Sequence, residues 1–235
     1  SPMEPTDLID GATHVLLSIP PGADGDPAFR HHAEDIAAAG TVEWVGYFST
    51  TGVYGNRDGG WVDETSELRP GSERSQRRVD AERDWLAWGE KNDIAVQIFR
   101  LPGIYGSGRS AVDQVKAGTA RRINKPGHVF SRIHVEDIAT VVAASIARPE
   151  PGGIYNVCDD EPAAPADIVT YICELLSQEP PPEILYDEAE MSPMAQSFWS
   201  DNRRVRNNRI KDVLGVELDF PNYRIGIRGI LGLGG

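Results

Sequence analysis

Lys and Arg together number 23, and all but Lys91, Lys116, Lys125 and Lys211 are arginine. The guanidinium is a planar, permanently charged fork that grips carboxylates and phosphates but does not shuttle protons at neutral pH. Arg74 and Arg78 stand i, i+4, on one face of any helix that carries them, whereas Arg77 has Glu73 at the same spacing and reads as half of a solvated ion pair. Arg109, Arg121, Arg122, Lys125 and Arg132 form a local basic island. Its chemistry is recognition of an anion, against the plainer alternative of surface charge balance. Thr50 closes an apolar run, where its hydroxyl either meets a ligand hydroxyl or carbonyl or satisfies loop backbone. His134 reads first as a buried histidine bonded to backbone, and Asp137 as a residue that caps or orients the segment. His31 and His32 are neighbours on one helix, about 100° apart, and do not readily share a metal. Cys158 and Cys173 have no CxxC partner, so they read as buried reduced thiols, and no metal site is expected.

Composition narrows the field further. The chain has 235 residues, 40% of them apolar, and a formal charge of -13. Such a field repels phosphate backbones and anionic bilayers, which disfavours a nucleic-acid or membrane-surface partner. The longest strongly apolar stretch, Ile138 to Ala147, falls far short of the ~18 residues of a membrane span, and the N-terminus carries no signal-peptide pattern. A soluble cytoplasmic protein is expected. Ser1, Pro2 and Met3 precede it either as an appended remnant or as part of a longer chain.

The elements that must position these groups alternate. Thr13 to Ile19 is apolar without alternation and reads as a central parallel strand stopped by Pro20, Pro21 and Gly22. Asp26 caps a helix that opens with Pro27 and closes before Gly40, with Phe29, Ala33, Ile36 and Ala37 as its stripe. Trp44 to Ser49 is a second strand, followed by a Gly/Asp-rich loop and a long helix from about Glu73 to Lys91. Ala95 to Arg100 is a third strand. Ile138, Val141, Val142, Ser145 and Ile146 mark a later helix. This rhythm predicts an α/β fold, a Rossmann-like doubly wound parallel sheet. Residues 1–150 are expected to form that domain and residues 151–235 a small C-terminal α+β lobe. The lobe holds a strand at Ile154 to Val157, a helix carrying Ile168, Tyr171, Ile172, Leu175 and Leu176, and two short helices capped by Asn208 and Asn222.

Four segments in order resemble the extended short-chain dehydrogenase/reductase family, the NAD-dependent epimerases and dehydratases. Phe48-Ser49-Thr50-Thr51-Gly52-Val53-Tyr54-Gly55 is similar to its strand-end motif, with Thr50 at the position of the catalytic Ser or Thr. Arg100 to Gly108 resembles the segment flanking the nicotinamide. Arg132-Ile133-His134-Val135-Glu136-Asp137-Ile138-Ala139 resembles a further signature, and Gly153-Ile154-Tyr155-Asn156-Val157 the strand that follows it. The resemblance implies NAD or NADP as cofactor, held by Ser18, Pro20, Ser49, Thr50, Arg78, Pro102 and Gly103. It implies an anionic small-molecule substrate, such as a sugar nucleotide, met by Arg109, Arg132 and His134. It also implies a homodimer through two long helices, with Trp85, Leu86 and Trp88 as surface for it.

Two departures bear on activity. The family's Tyr-x-x-x-Lys is absent. With Glu82 matched to the family's glutamate, Arg78 stands at the lysine and Arg74 at the tyrosine, and neither can act as a general base. The N-terminal strand-GxGxxG-helix is also not found before Thr13. Gly106-x-Gly108-x-x-Ala111 lacks the acidic residue expected about 20 positions on, and Gly232-Leu233-Gly234-Gly235 precedes nothing. An N-terminal βαβ portion of about 50 residues is therefore expected to be missing, which would leave Thr13 to Ile19 as an apolar edge. Two functions follow as expectations. One is an NAD(P)-binding epimerase/dehydratase-like enzyme with Thr50, Arg74 and Arg78 at the reacting centre. The other is a nucleotide-sensing or scaffold protein that keeps the fold without the chemistry.

Overall fold

A computed structural model describes residues 9–233; Ser1 to Met3, Gly234 and Gly235 lie outside them. Its elements, in chain order, are β1 (His14–Leu17), α1 (Pro27–Ala38), β2 (Trp44–Thr50), β3 (Trp61–Val62), α2 (Glu73–Asn92), β4 (Ala95–Leu101), β5 (Gly103–Tyr105), α3 (Ala111–Lys116), β6 (Arg122–Asn124), β7 (Arg132–His134), α4 (Val135–Ala147), β8 (Ile154–Asn156), α5 (Pro165–Leu175), β9 (Glu183–Leu185), α6 (Pro193–Trp199), β10 (Arg204–Val205), α7 (Asn208–Asp212) and α8 (Tyr223–Leu231). The main sheet runs β1-β2-β4-β8, and every pairing in it is parallel. Three two-stranded parallel pairs, β3 with β10, β5 with β7 and β6 with β9, stand beside it.

Side-chain alternation along the inner strands builds a core on each face. Val45 and Tyr47 of β2 and Val96 and Ile98 of β4 pack with Ala33 and Ile36 of α1 and Trp85 of α2. Trp44 of β2 and Phe99 and Leu101 of β4 pack on the other face with Ile138 and Val141 of α4 and Ile210 of α7. This is a parallel α/β sheet covered by helices on both sides, the doubly wound arrangement. Asp26 caps α1 by accepting from the Phe29 N–H at 2.8 Å, and Ser72 caps α2 by accepting from Ser75. No helix among the described residues is long and apolar enough to cross a membrane.

Several expectations are corrected. Among the described residues the strand at Thr13 to Ile19 stands at the edge of the sheet rather than its centre, with Leu16 and Ile19 exposed, which is the apolar edge expected of a chain without the preceding βαβ portion. An apolar run reports burial propensity but carries no information on which strands pair with it. The strand expected in the C-terminal lobe, β8, pairs with β4 in the main sheet, and α7 packs with Phe99 beneath it. The smaller apolar cluster instead draws on α3 from before that boundary and on α5 and α8 from after it. Asn222 caps α8 as expected, but α7 is preceded by Asn207 rather than capped by Asn208. The Asn207 amide donates instead to the Cys158 carbonyl and to Asp160. Trp85 is fully buried against Phe29, so it offers no surface to a partner, and Leu86 and Trp88 are only partly exposed.

Gly55 ends the turn after β2 at φ 64°, and a Cβ there would collide with the Arg69 carbonyl oxygen. Gly55→Ala is therefore expected to cost about 3 kcal/mol, combining left-handed strain with overpacking. A urea midpoint equal to that of the parent chain would show that this turn can relax.

Candidate functional site

The C-terminal ends of β2 and β4 open into a cavity of about 780 Å³, bounded by the start of α2, by β5 and β7, and by α6 with the segment after it. Strand ends of a doubly wound sheet are where such folds place ligands, because backbone groups there are unpaired and loops diverge. The charged lining is one-sided: Arg74, Arg78, Arg109, Arg132 and Arg203 against a single carboxylate, Asp201. In a chain with a net charge of -13 this concentrates positive potential in one concavity. Phe48, Phe130 and Phe198 add aromatic surface to the same walls.

Most of the residues singled out from the sequence meet here. Ser18, Ser49, Thr50, Arg74, Arg78, Pro102, Gly103, Arg109 and Arg132 all line the cavity. The Thr50 hydroxyl accepts from the Gly52 N–H at 3.1 Å, which leaves its own proton free to donate. Arg78 is anchored to the end of β2, donating to the Phe48 carbonyl at 2.6 Å and to the Tyr47 hydroxyl at 3.1 Å. Arg74 is exposed at the rim, its guanidinium 5.8 Å from the Phe198 ring of α6. Arg77 pairs with Glu73 at 2.9 Å, as a solvated helix face should.

Pro20 and His134 do not line the cavity. His134 is the N-terminal cap of α4, its ring packed 3.8 Å from Phe220, and burial lowers its pKa. Its Nδ1 accepts from the Glu136 N–H at 3.4 Å, and Asp137 ties down a distant loop by accepting from the Asp219 and Phe220 N–H groups at 2.8 and 3.1 Å. The basic island divides. Arg109 and Arg132 face the cavity, while Arg121 donates to the Glu190 carbonyl and Lys125 to that of Trp199. Among the described residues no cluster of His, Cys, Asp and Glu could hold a metal ion.

Beneath the cavity floor lies a polar network that sequence reasoning did not assemble. Glu82 of α2 and Arg100 of β4, 3% and 2% exposed, form an ion pair at 2.7 Å. Ser49 donates to the same carboxylate. Arg100 also donates to the Tyr54 hydroxyl at 2.8 Å, and Tyr54 donates to the Asn156 side chain at 2.8 Å. The Asn156 N–H in turn donates to Glu64 at 2.7 Å. Burial alone would lower the Arg100 pKa, but hydrogen bonds and charge from Glu82 outweigh it and hold it above the ordinary value. Burial pushes the Tyr54 phenol up to about 12, so it stays a neutral donor. The available signal was Arg100 itself, the one charge inside a strand that is otherwise apolar but for Gln97. Phe198, Asp201 and Arg203 were also missed as cavity residues, because α6 and the segment after it come from a distant part of the chain, and Tyr105 was missed although β5 carries it beside Gly103.

Comparison with known proteins bears on the family and the fold. The family model described as NAD dependent epimerase/dehydratase family matches residues 35–158. A 3-diazoavenalumate denitrifying reductase from Streptomyces sp is 27% identical over 149 residues, spanning 58% of this chain and 47% of that protein. The chain thus spans about half the length of that curated relative. A functionally unknown conserved protein from Silicibacter pomeroyi DSS superposes with a TM-score of 0.91 at 51% identity, over 96% of this chain and 79% of its own. MoeE5, in complex with UDP-glucose and NAD, superposes with a TM-score of 0.75 at 18% identity, over 98% and 81% of the two chains, a likeness of fold. With the family model matching more than half of its length, the chain belongs to the NAD-dependent epimerase/dehydratase family.

Proposed function

We propose that this protein binds NAD or NADP together with an anionic small molecule of the sugar-nucleotide type and acts on the latter. The observation that carries the reading is the arginine-lined cavity at the strand ends, with Thr50 and Arg78 at one side and Arg109 and Arg132 at the other. The residues fit the nicotinamide-ribose end of a dinucleotide: Ser18, Ser49, Thr50, Pro102 and Gly103 surround the strand ends, and Arg78 is held immobile beside them. Among the described residues no glycine-rich turn joins a strand to a helix in the way a pyrophosphate cradle requires; β1 runs through Pro20, Pro21 and Gly22 towards α1. The dinucleotide, when bound, supplies reversible hydride exchange at a substrate carbon.

The chain's own contribution is positioning and electrostatics. Thr50 donates its remaining proton to a substrate oxygen as negative charge develops on it. Arg78, already carrying two hydrogen bonds to β2, fixes a cationic edge beside that oxygen without exchanging protons. Arg109 and Arg132 hold the anionic portion of the substrate, and the aromatic walls exclude water around it. With arginine in place of the usual tyrosine, the proton in the reaction is carried by another group, by water or by the substrate itself. Arginines at 74 and 78 equally favour the second reading, a non-catalytic nucleotide sensor. A homodimer and a cytoplasmic location accompany the proposal.

Calorimetric titration of NAD and NADP into the full-length protein, followed by hydride-exchange assays over a sugar-nucleotide panel, separates the two readings. Binding with turnover supports the enzyme, tight binding without turnover supports the sensor, and absence of binding removes both. Thr50→Val is expected to lower turnover about 10- to 100-fold, the worth of one hydrogen bond made in the transition state. An unchanged kcat would take Thr50 out of the reacting centre.

A further inference from the structure

Three buried polar atoms without a partner lie together behind the Arg132 side of the cavity. They are Arg132 Nη1, Asp159 Oδ2 and the Tyr105 hydroxyl. Backbone pairing fixes their placement. Asp159 N–H donates to the Arg132 carbonyl at 2.7 Å, and β5 carries Tyr105 in parallel register beside β7. Arg132 and Asp159 are also held at their other polar ends. Arg132 Nη2 donates to the Ala163 carbonyl at 3.2 Å, and Asp159 Oδ1 accepts from the Glu161 N–H at 3.3 Å. Gly226 of α8 closes the space from outside, since a Cβ there would collide with the Tyr105 hydroxyl.

Unsatisfied buried groups are costly, and several at one place beside a cavity call for a functional account. Arg132 and Asp159 are not in ion-pair contact, yet they feel one another's charge. A guanidinium with one arm unengaged can turn that arm to an anion in the cavity or to the carboxylate behind it. We propose that Asp159 is coupled to Arg132 through charge across this cluster, and that Asp159 takes up a proton from solvent when an anion binds Arg132. This rests on the reading of Arg132 as the anion-binding residue of the cavity.

The electrostatics agree in sign. Burial pushes the Asp159 carboxyl up to about 8, and the Arg132 charge, with a smaller part from the Glu161 N–H, opposes a larger rise. An anion that neutralises Arg132 removes that opposition, so Asp159 holds its proton more tightly in the complex. By linkage, anion affinity is level while Asp159 is protonated in the free protein. It falls by up to about tenfold per pH unit above that midpoint, until the midpoint of the complex is passed. Other charged or titratable groups facing Asp159 are Cys158, Asp160 and Glu161 from its own segment, Tyr105 from β5, and Tyr223 from α8 beside Arg132. Asp160 is paired with Lys211 at 2.5 Å and Glu161 with Arg224 at 2.5 Å, so neither is an open partner for the guanidinium.

Sulfate is a suitable probe because it does not itself titrate in this range. The experiment follows the Asp159 carboxyl by carbon NMR between about pH 6 and 10, with and without sulfate. Asp159→Asn assigns the signal, and Arg132→Gln locates the ion. The expected result is a midpoint raised by at least about half a unit on sulfate binding, a shift absent in Arg132→Gln, and sulfate affinity that no longer depends on pH in Asp159→Asn. Sulfate that binds through Arg132 but leaves the Asp159 midpoint in place overturns the coupling and leaves the anion-site reading standing. Binding that survives Arg132→Gln unchanged, or no sulfate binding in the parent protein, overturns both.

Discussion

Glu82→Leu is expected to lower folding stability by about 3–5 kcal/mol, because it leaves the Arg100 guanidinium buried without its counter-charge. Both partners are almost fully buried, and the carboxylate also receives Ser49, so the substitution strips hydrogen bonds from two neighbours at once. For a chain of this size that loss corresponds to a melting temperature lower by about 10 °C. Differential scanning calorimetry reads it directly. The companion variant Glu82→Leu with Arg100→Met should regain most of the loss, since an apolar pair of similar volume avoids the desolvation cost of both charges. Arg77→Ala, which breaks the exposed pair with Glu73, should cost no more than about 1 kcal/mol. A Glu82→Leu variant that melts with the parent chain would mean that water reaches Arg100.

Arg132→Gln is expected to weaken binding of an anionic ligand by about 10- to 100-fold at neutral pH, the worth of a charge-assisted hydrogen bond made in a poorly solvated place. Arg109→Gln, at an exposed position on the same cavity, should weaken it by only a few-fold, since water and salt screen that charge. Titration with inorganic pyrophosphate at two salt concentrations measures both. The Arg109 contribution should fade at higher salt while that of Arg132 persists. Equal losses for the two variants would place the ligand nearer the rim than the Arg132 side.

The strand-helix order, the cap at Asp26, the helix from Glu73 and the strand-end position of Thr50 could all be read from the chain. Each depends on residues close in sequence: an apolar run, a side chain reaching a backbone N–H three residues on, a turn rich in glycine. What escaped depends on contacts between distant segments. Whether Thr13 to Ile19 lies inside the sheet or at its edge is decided by the strands beside it, not by its own composition. Arg121 and Lys125 looked as suited to an anion as Arg132 did. Only the fold turns the first two towards the Glu190 and Trp199 carbonyls and the last towards the cavity. His134 lay in the right motif, yet its ring packs at a tilt against Phe220, a residue too far along the chain for local pattern to connect. The aromatic and arginine lining from Phe198 to Arg203 is likewise visible only when α6 is placed over the strand ends.

The Ser49–Glu82–Arg100–Tyr54–Asn156 chain also discriminates among ways of misassembling the molecule. Val96, Ile98 and Arg100 point to one face of β4, Phe99 and Leu101 to the other. Sliding β4 by a single residue against β2 would exchange these faces and drive the Arg100 charge among Trp44, Ile133 and Val141. An apolar strand alone would tolerate that error at modest cost, since one aliphatic layer resembles another. A guanidinium stranded in hydrocarbon does not, so the mispaired sheet is raised far above the native one. The polar chain under the cavity thus acts as a proofreader of assembly. A molecule that has folded at all has set Ser49, and the adjoining Thr50, where the cavity needs them.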